Sequence, residues 1–244
     1  MPTACCADAY ALCSIVDGRT LPFLQYVVTL AVVEAAQEAA RAALREAGVA
    51  ESALVLPDES GASPAPAGAA PRCVDVRIKW PNDVYGGGVK LGGVLCGSTH
   101  GGGAFRVTVG AGLNVSNAQP TSCLDALIAA AATARGAPRT PQPLCAAALL
   151  ARILSAYESL EARFVAGGFA PLQGAYLHHW LHTGQRVTLQ EAGPPAREVQ
   201  LTVRGLTPGG YLLAQDDAGE RFELCPDGNS LDFFQGLVRK KLLR

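Results

Sequence analysis

Between residues 74 and 113 the chain alternates apolar and polar side chains and is interrupted only by turn-forming residues, a pattern that restricts this stretch to a sheet. Val76, Ile78 and Trp80 alternate with Asp75, Arg77 and Lys79, as in a strand with one buried face. Pro81-Asn82-Asp83 breaks that run. Gly86-Gly87-Gly88 turns the chain into a second strand, Val89 to Ser98, and Gly101-Gly102-Gly103 turns it into a third, Phe105 to Val109. Connections this short predict an antiparallel meander, because parallel neighbours need a crossover of roughly a dozen residues or more.

Flanking segments supply helices. Residues 10–16 read as a strand closed at Asp17-Gly18. Pro22 opens a helix to about Gly48, with Leu24, Val27, Val28, Ala31 and Val32 at helical spacing and Glu34, Glu38, Arg41 and Arg45 on its more polar side. Residues 124–134 and 144–164 read as two more helices. Residues 57–71 are Pro, Ala, Gly and Ser with two acids and read as a disordered surface insertion. After Trp180 the character changes to short strands at 187–189, 199–203, 211–214 and 222–224, the pattern of a small all-β module. The expected organisation is therefore an α+β domain over 1–180 and a β-barrel-like module over 181–244.

Several function classes drop out. A formal net charge of −1 excludes a grossly basic protein that binds nucleic acid by bulk charge. The chain is biased, with 27 glycines and 16 prolines, but the surviving apolar periodicity excludes global disorder. The eight cysteines (Cys5, Cys6, Cys13, Cys73, Cys96, Cys123, Cys145 and Cys225) form no CxxC pair and read as reduced thiols of an intracellular protein, cytoplasmic or organellar. Residues 1–10 do not form a secretory signal, and no uncharged apolar run reaches membrane-spanning length.

The chemistry concentrates in Arg77-Ile-Lys79-Trp80-Pro81-Asn82-Asp83 and Lys90-Leu-Gly92-Gly93-Val-Leu95. Lys79 ends one strand and Lys90 begins the next, so a hairpin can aim both amines at one spot, while Gly92 and Gly93 admit a ligand to the backbone. Paired cations beside exposed amides suit a carboxylate or phosphate. From spacing alone, two solvated strand-end lysines are the commoner arrangement. Gly110-Ala-Gly112-Leu-Asn114 does not complete GxGxxG, and no P-loop is present. His178 and His182 stand at i, i+4, but no acid follows closely, and no metal site is expected. Cys123 reads as a buried cysteine at a helix start rather than a nucleophile.

Together these runs resemble the biotin–protein ligases, or holocarboxylase synthetases, particularly of the plant and eukaryotic type. The resemblance is carried by Leu24 to Glu34, Ile78-Lys-Trp-Pro-Asn-Asp83, Lys90-Leu-Gly-Gly-Val-Leu95, Val109-Gly-Ala-Gly-Leu-Asn-Val115, Pro120-Thr-Ser-Cys-Leu124, Trp180 to Gln185 and Pro226 to Phe234. It implies a catalytic domain like that of class II aminoacyl-tRNA synthetases followed by a small SH3-like domain. It implies two reactions: biotin and Mg-ATP (Mg2+ with ATP) give biotinyl-5′-AMP, and the biotinyl group passes to a lysine of a carboxylase's biotin carboxyl carrier domain. By the same resemblance Lys90 contacts the biotin carboxylate and acyl-phosphate, Lys79 supports that centre, and Asn82 and Asn114 lie by the adenylate. Gly92, Gly93, Gly110 and Gly112 are then expected to line the nucleotide site, and Asp83, which the resemblance puts near the reacting centre, is expected to orient or deprotonate the incoming amine.

One departure from the family pattern is visible. The Gly-Arg-Gly-Arg loop and the Ser-[Ser/Thr]-[Asn/Gln] segment belong before residues 10–16, yet residues 1–9 contain neither arginine nor glycine. The expectation is a catalytic domain truncated at its N-terminus, with weak or no biotin activation by this chain alone. A non-catalytic adenylate- or carrier-binding protein and a lipoate–protein ligase are the alternatives.

Overall fold

The computed structural model describes residues 10–12, 18, 20–55, 72–101, 104–117, 122–191, 197–224, 231–232 and 237–240. The insertion at 57–71, the Gly102-Gly103 turn and Cys5, Cys6, Cys13 and Cys225 lie outside the described residues. The chain divides into two compact units, residues 1–180 and 181–244. No helix among the described residues is long and apolar enough to cross a membrane.

The first unit is α+β. Strand β1 (Tyr10–Leu12) precedes helix α1 (Leu24–Glu46), which follows a 3-10 turn with Pro22 in its first positions. Then come β2 (Val76–Lys79), β3 (Asp83–Gly86), β4 (Val89–Gly101) and β5 (Ala104–Leu113). They form an antiparallel sheet in the order β1-β5-β4-β3-β2. Helices α2 (Leu124–Ala134), α3 (Ala146–Gly167) and α4 (Ala170–His179) complete the unit.

The expected meander exists but is tighter than its glycine spacing indicates. Asp83–Gly86, from the last residue of the Pro81-Asn82-Asp83 break to the first of the glycine triplet, form β3, a strand the sequence pattern does not reveal because its ends fall within the breaker runs. Strand β5 continues to Leu113, so Gly110 and Gly112 lie inside a strand rather than in a loop. Helix α4 also lacks a clear amphipathic pattern and does not stand out in the sequence.

Helix α1 is the centre of the unit. Val27, Leu30, Ala31, Val33, Ala36 and Ala40 are all buried, because the sheet packs on one side and α2, α3 and α4 on others. Burial extends to polar residues of the helix. Gln37 is buried and acts as a backbone surrogate for the sheet edge: its amide nitrogen donates to the carbonyls of Val74 and Val76, and its Oε1 accepts from the N–H groups of Cys73 and Val74. This satisfies polar groups at edge strand β2 that no neighbouring strand pairs.

Glu34, one turn earlier, has no such partner for its Oε1 among the described residues. Burial pushes its carboxyl from 4.5 up to about 7, and the Arg163 guanidinium opposes this only in part. A carboxyl raised in the folded state favours folding below its unfolded value, and that contribution is lost as pH rises through about 7. Glu34→Gln is therefore expected to stabilise the protein at pH 8 by about 1–3 kcal/mol, the gain vanishing towards pH 4.5. Thermal unfolding of both proteins across this range checks it; an equal difference at every pH would rule the ionisation out as the cause.

The second unit, described by itself, is a six-stranded sheet in the order β10-β11-β6-β7-β8-β9. Its strands are β6 (Arg186–Glu191), β7 (Arg197–Leu206), β8 (Leu212–Gln215), β9 (Arg221–Leu224), β10 (Leu231–Asp232) and β11 (Leu237–Lys240). All pairs are antiparallel except β11 with β6. Val187, Leu189, Leu201, Val203, Leu212 and Ala214 form its core.

Candidate active site

One face of the first sheet rests on α1. The other carries the chemistry-bearing residues. In register, Lys79 on β2 stands opposite Asp83 on β3, and Asp83 stands opposite Gly93 on β4, so all three share that second face. Lys90, three residues before Gly93, belongs on the core face by strict alternation. A bulge corrects this. Val84 pairs with Gly92 but Tyr85 pairs with Lys90, leaving Leu91 as an extra residue. Leu91 turns inward and is buried, its carbonyl accepting the N–H of Asn114 at 2.8 Å, and Lys90 is re-aimed to the side of Asp83.

The result is a carboxylate between two ammonium groups. Lys90 Nζ lies 2.6 Å from Asp83 Oδ1, and Lys79 Nζ lies 3.9 Å from Oδ2. Lys79 also sits 5.7 Å from the centroid of the Tyr85 ring. Two cations and one anion leave a surplus positive charge on this face. The side chains of Lys79 and Asp83 are 20% and 23% exposed, whereas that of Lys90 is 51% exposed, so Lys90 is the group an incoming anion reaches first.

The turn that delivers Asp83 is tied down residue by residue. Trp80 Nε1 donates to the Tyr26 hydroxyl at 3.0 Å, the Tyr176 hydroxyl donates to the Pro81 carbonyl at 2.7 Å, and Asn82 Nδ2 donates to the Val94 carbonyl at 2.6 Å. The Val94 N–H returns a bond to the Asn82 carbonyl at 2.9 Å. The Asn82 amide nitrogen is thus engaged with β4. Asn114, at the end of β5, has its amide nitrogen 3.4 Å from the Ser122 carbonyl and its own carbonyl accepting from Leu124, which joins the sheet to α2.

The four glycines divide by what their missing side chains permit. A Cβ on Gly92 would stand 2.1 Å from the Gly112 carbonyl oxygen, so Gly92 serves strand packing and opens no space for a ligand. A Cβ on Gly93 would stand 2.9 Å from Asp83 Oδ1 and crowd the ion pair. Gly112 has nothing within 4 Å and Gly110 only the Leu95 carbonyl at 3.9 Å. Gly112 faces Gly93, and Gly110 faces Leu95, so these positions form a bare floor beside the charged cluster. Leu95 is 75% exposed on this floor. Sequence reading passes over it because it sits inside an apolar run, although its parity opposite to buried Val94 is the available signal. The face thus offers a cationic end and an apolar, side-chain-poor strip, suited to a ligand with an anionic group and an apolar body.

The sequence profile of the biotin/lipoate A/B protein ligase family matches residues 10–114. Over 243 residues, 99% of this chain, the protein is 39% identical to biotin–protein ligase 2 of Arabidopsis thaliana. Over nearly its whole length the chain is similar to the biotin–protein ligases. It is also 37% identical to the chloroplastic biotin–protein ligase 1 of the same plant, and it spans 64% and 57% of the length of these two relatives. Its fold matches the apo biotin protein ligase of Aquifex aeolicus with a TM-score of 0.56 at 20% identity, covering 88% of this chain and 76% of that one. The α+β class and the biotin protein ligase fold thus agree with the expectation from sequence.

Other candidate residues do not join the cluster. Helix α4 ends at His179, so His182 is not on a helical face with His178. Among the described residues no three His, Cys, Asp or Glu side chains are placed to hold a metal. His179 is fully buried, and burial together with His178, Arg72 and Arg77 pushes its imidazole down to about 3, so it stays neutral. Cys123 is buried and caps the start of α2 with extended backbone.

Proposed function

We propose that this chain carries the adenylate and acyl-transfer centre of a biotin–protein ligase. A biotin carboxylate oxygen attacks the α-phosphorus of ATP and the bond to pyrophosphate breaks, giving biotinyl-5′-AMP. The ε-amine of a lysine in a carboxylase's biotin carboxyl carrier domain then attacks the acyl carbon. The carbon–oxygen bond to AMP breaks, and the nitrogen loses a proton. In this reading residues 1–180 form the catalytic domain and residues 181–244 an SH3-like domain.

The observation that carries the reading is the convergence of Lys79 and Lys90 on Asp83 beside a glycine floor. Lys90 meets the biotin carboxylate and then the acyl-phosphate oxygens, where negative charge gathers and a fixed cation acts most strongly. Lys79 holds Asp83 from the other side. Asp83 accepts a hydrogen bond from the incoming amine and aims it at the acyl carbon. Leu95, Gly93, Gly110 and Gly112 take the uncharged part of the adenylate, and Asn82 and Asn114 hold the turn and strand end that border it. Mg2+ accompanies the ATP phosphates.

Calorimetric titration with biotinyl-5′-AMP and with lipoyl-5′-AMP, followed by addition of a carrier domain and mass spectrometry of its lysine, tests this. Binding of biotinyl-5′-AMP and one biotinyl adduct per carrier domain are expected. Preference for lipoyl-5′-AMP would indicate a lipoate ligase, and binding without transfer a non-catalytic protein. Asp83→Asn is expected to slow transfer from preformed biotinyl-5′-AMP by about 10²–10⁴-fold; transfer at the wild-type rate would remove Asp83 from the chemistry.

A further inference from the structure

Tyr176 lies on α4, is fully buried, and cannot touch a ligand on the open face of the sheet. Its hydroxyl nevertheless donates to the Pro81 carbonyl at 2.7 Å, two residues before Asp83. Its ring stacks on Tyr26 of α1 with centroids 5.3 Å apart, and the Tyr26 hydroxyl accepts from Trp80 Nε1. Phe169, at the start of α4, packs edge-on to both tyrosines, at 5.5 and 5.7 Å. One aromatic cluster built from α1 and α4 therefore grips two consecutive residues, Trp80 and Pro81.

We infer that Tyr176, together with Tyr26, is a positioning residue for the proposed ligase reaction, holding the Trp80–Asp83 turn so that Asp83 meets Lys90 and the incoming amine without rearrangement. The inference rests on the functional reading above. Three points support it. Pro81 has no N–H, so its carbonyl is the one backbone group of this residue that a side chain can hold by a hydrogen bond. Asn82, the next residue, is already tied to Val94 of β4, so Tyr176 holds one end of a four-residue turn whose other end is fixed by the sheet. Burial also holds the Tyr176 phenol well above its ordinary ionisation range, so the hydroxyl is a permanent donor. Freeing the turn on the α4 side lets Asp83 shift while Lys90, on β4, stays, and a displacement of about 1 Å at a reacting group costs on the order of 100-fold in rate.

The test compares the wild-type chain with Tyr176→Phe, Tyr26→Phe and Tyr157→Phe. Tyr157 is the control: it is buried, but its hydroxyl bonds Glu161 on its own helix. Transfer from preformed biotinyl-5′-AMP to a carrier domain is expected to lose at least about tenfold in kcat in the first two variants, with KM for the carrier changed less than about threefold. Tyr157→Phe should change neither. Independently of activity, hydrogen exchange of the Val94 amide, which bonds the Asn82 carbonyl, should quicken about tenfold in Tyr176→Phe while amides in the middle of α1 keep their wild-type rates. A wild-type kcat in Tyr176→Phe overturns the inference, as does unaltered Val94 exchange. If the wild-type chain transfers no biotin, the functional reading fails, and the exchange measurement alone decides whether Tyr176 fixes the turn.

Discussion

Lys90→Met is expected to lower the affinity of the protein for biotinyl-5′-AMP by about 10–100-fold while leaving its thermal stability nearly unchanged. Methionine keeps the unbranched apolar stem of lysine and deletes its charged end. The lysine side chain is 51% exposed and reaches the open face, so its replacement opens no core cavity. What is lost is a charge-assisted interaction with the ligand, about 1.5–3 kcal/mol for groups of this type. Asp83 keeps Lys79 as a neighbour, at 3.9 Å, and so does not become an isolated carboxylate. Formation of the adenylate should suffer more than its binding, about 10²–10³-fold in rate, because the charge at the α-phosphate grows in the transition state. Lys90→Arg separates charge from shape: it retains the positive charge but sets a planar fork where a point charge fits, so it should recover part of the affinity and little of the rate. Calorimetry with the preformed adenylate measures the first effect. Undiminished affinity in a folded Lys90→Met protein would place the anion elsewhere.

Much of this site is legible in the sequence, and the rest is hidden for identifiable reasons. The spacing of Lys79 and Lys90 around a turn permits both amines to converge, as they do on Asp83, although spacing alone favours two solvated lysines, and apolar periodicity finds α1 and α2. The device that makes convergence possible is not visible. Counting by twos from Gly93 puts Lys90 on the core face, and only the pairing register shows that Leu91 is an extra residue. Strand β3 is hidden because its first and last residues, Asp83 and Gly86, belong to the breaker runs on either side. Glu34 reads as the polar side of α1, but helices on a second side bury it, and a one-dimensional pattern does not count the layers around a helix. Tyr176 is hidden because its partner, Pro81, lies on a distant turn.

Gly92→Ala is expected to cost more stability than any other single-atom addition on this sheet, at least about 3 kcal/mol, a large part of the roughly 5–15 kcal/mol that holds a domain folded. The new Cβ would stand 2.1 Å from the Gly112 carbonyl oxygen and 3.0 Å from the Gly112 carbonyl carbon and the Leu113 Cα. Every obstructing atom is backbone, so no rotamer change relieves the clash; β4 and β5 must part at the point where the bulge and the Asn114 N–H bond to Leu91 also lie. Gly110→Ala is the informative contrast. Its Cβ meets nothing closer than the Leu95 carbonyl at 3.9 Å, and glycine in a strand interior is itself unfavourable, so stability should stay within about 1 kcal/mol. The added methyl nonetheless stands on the floor assigned to the adenylate and should weaken biotinyl-5′-AMP binding. Denaturant unfolding with calorimetry on the same preparations separates the two: the midpoint should fall in Gly92→Ala at an unchanged slope, and the ligand affinity should fall in Gly110→Ala at an unchanged midpoint. If Gly110→Ala binds the adenylate as tightly as the wild type, the open floor of the sheet is not where the ligand lies.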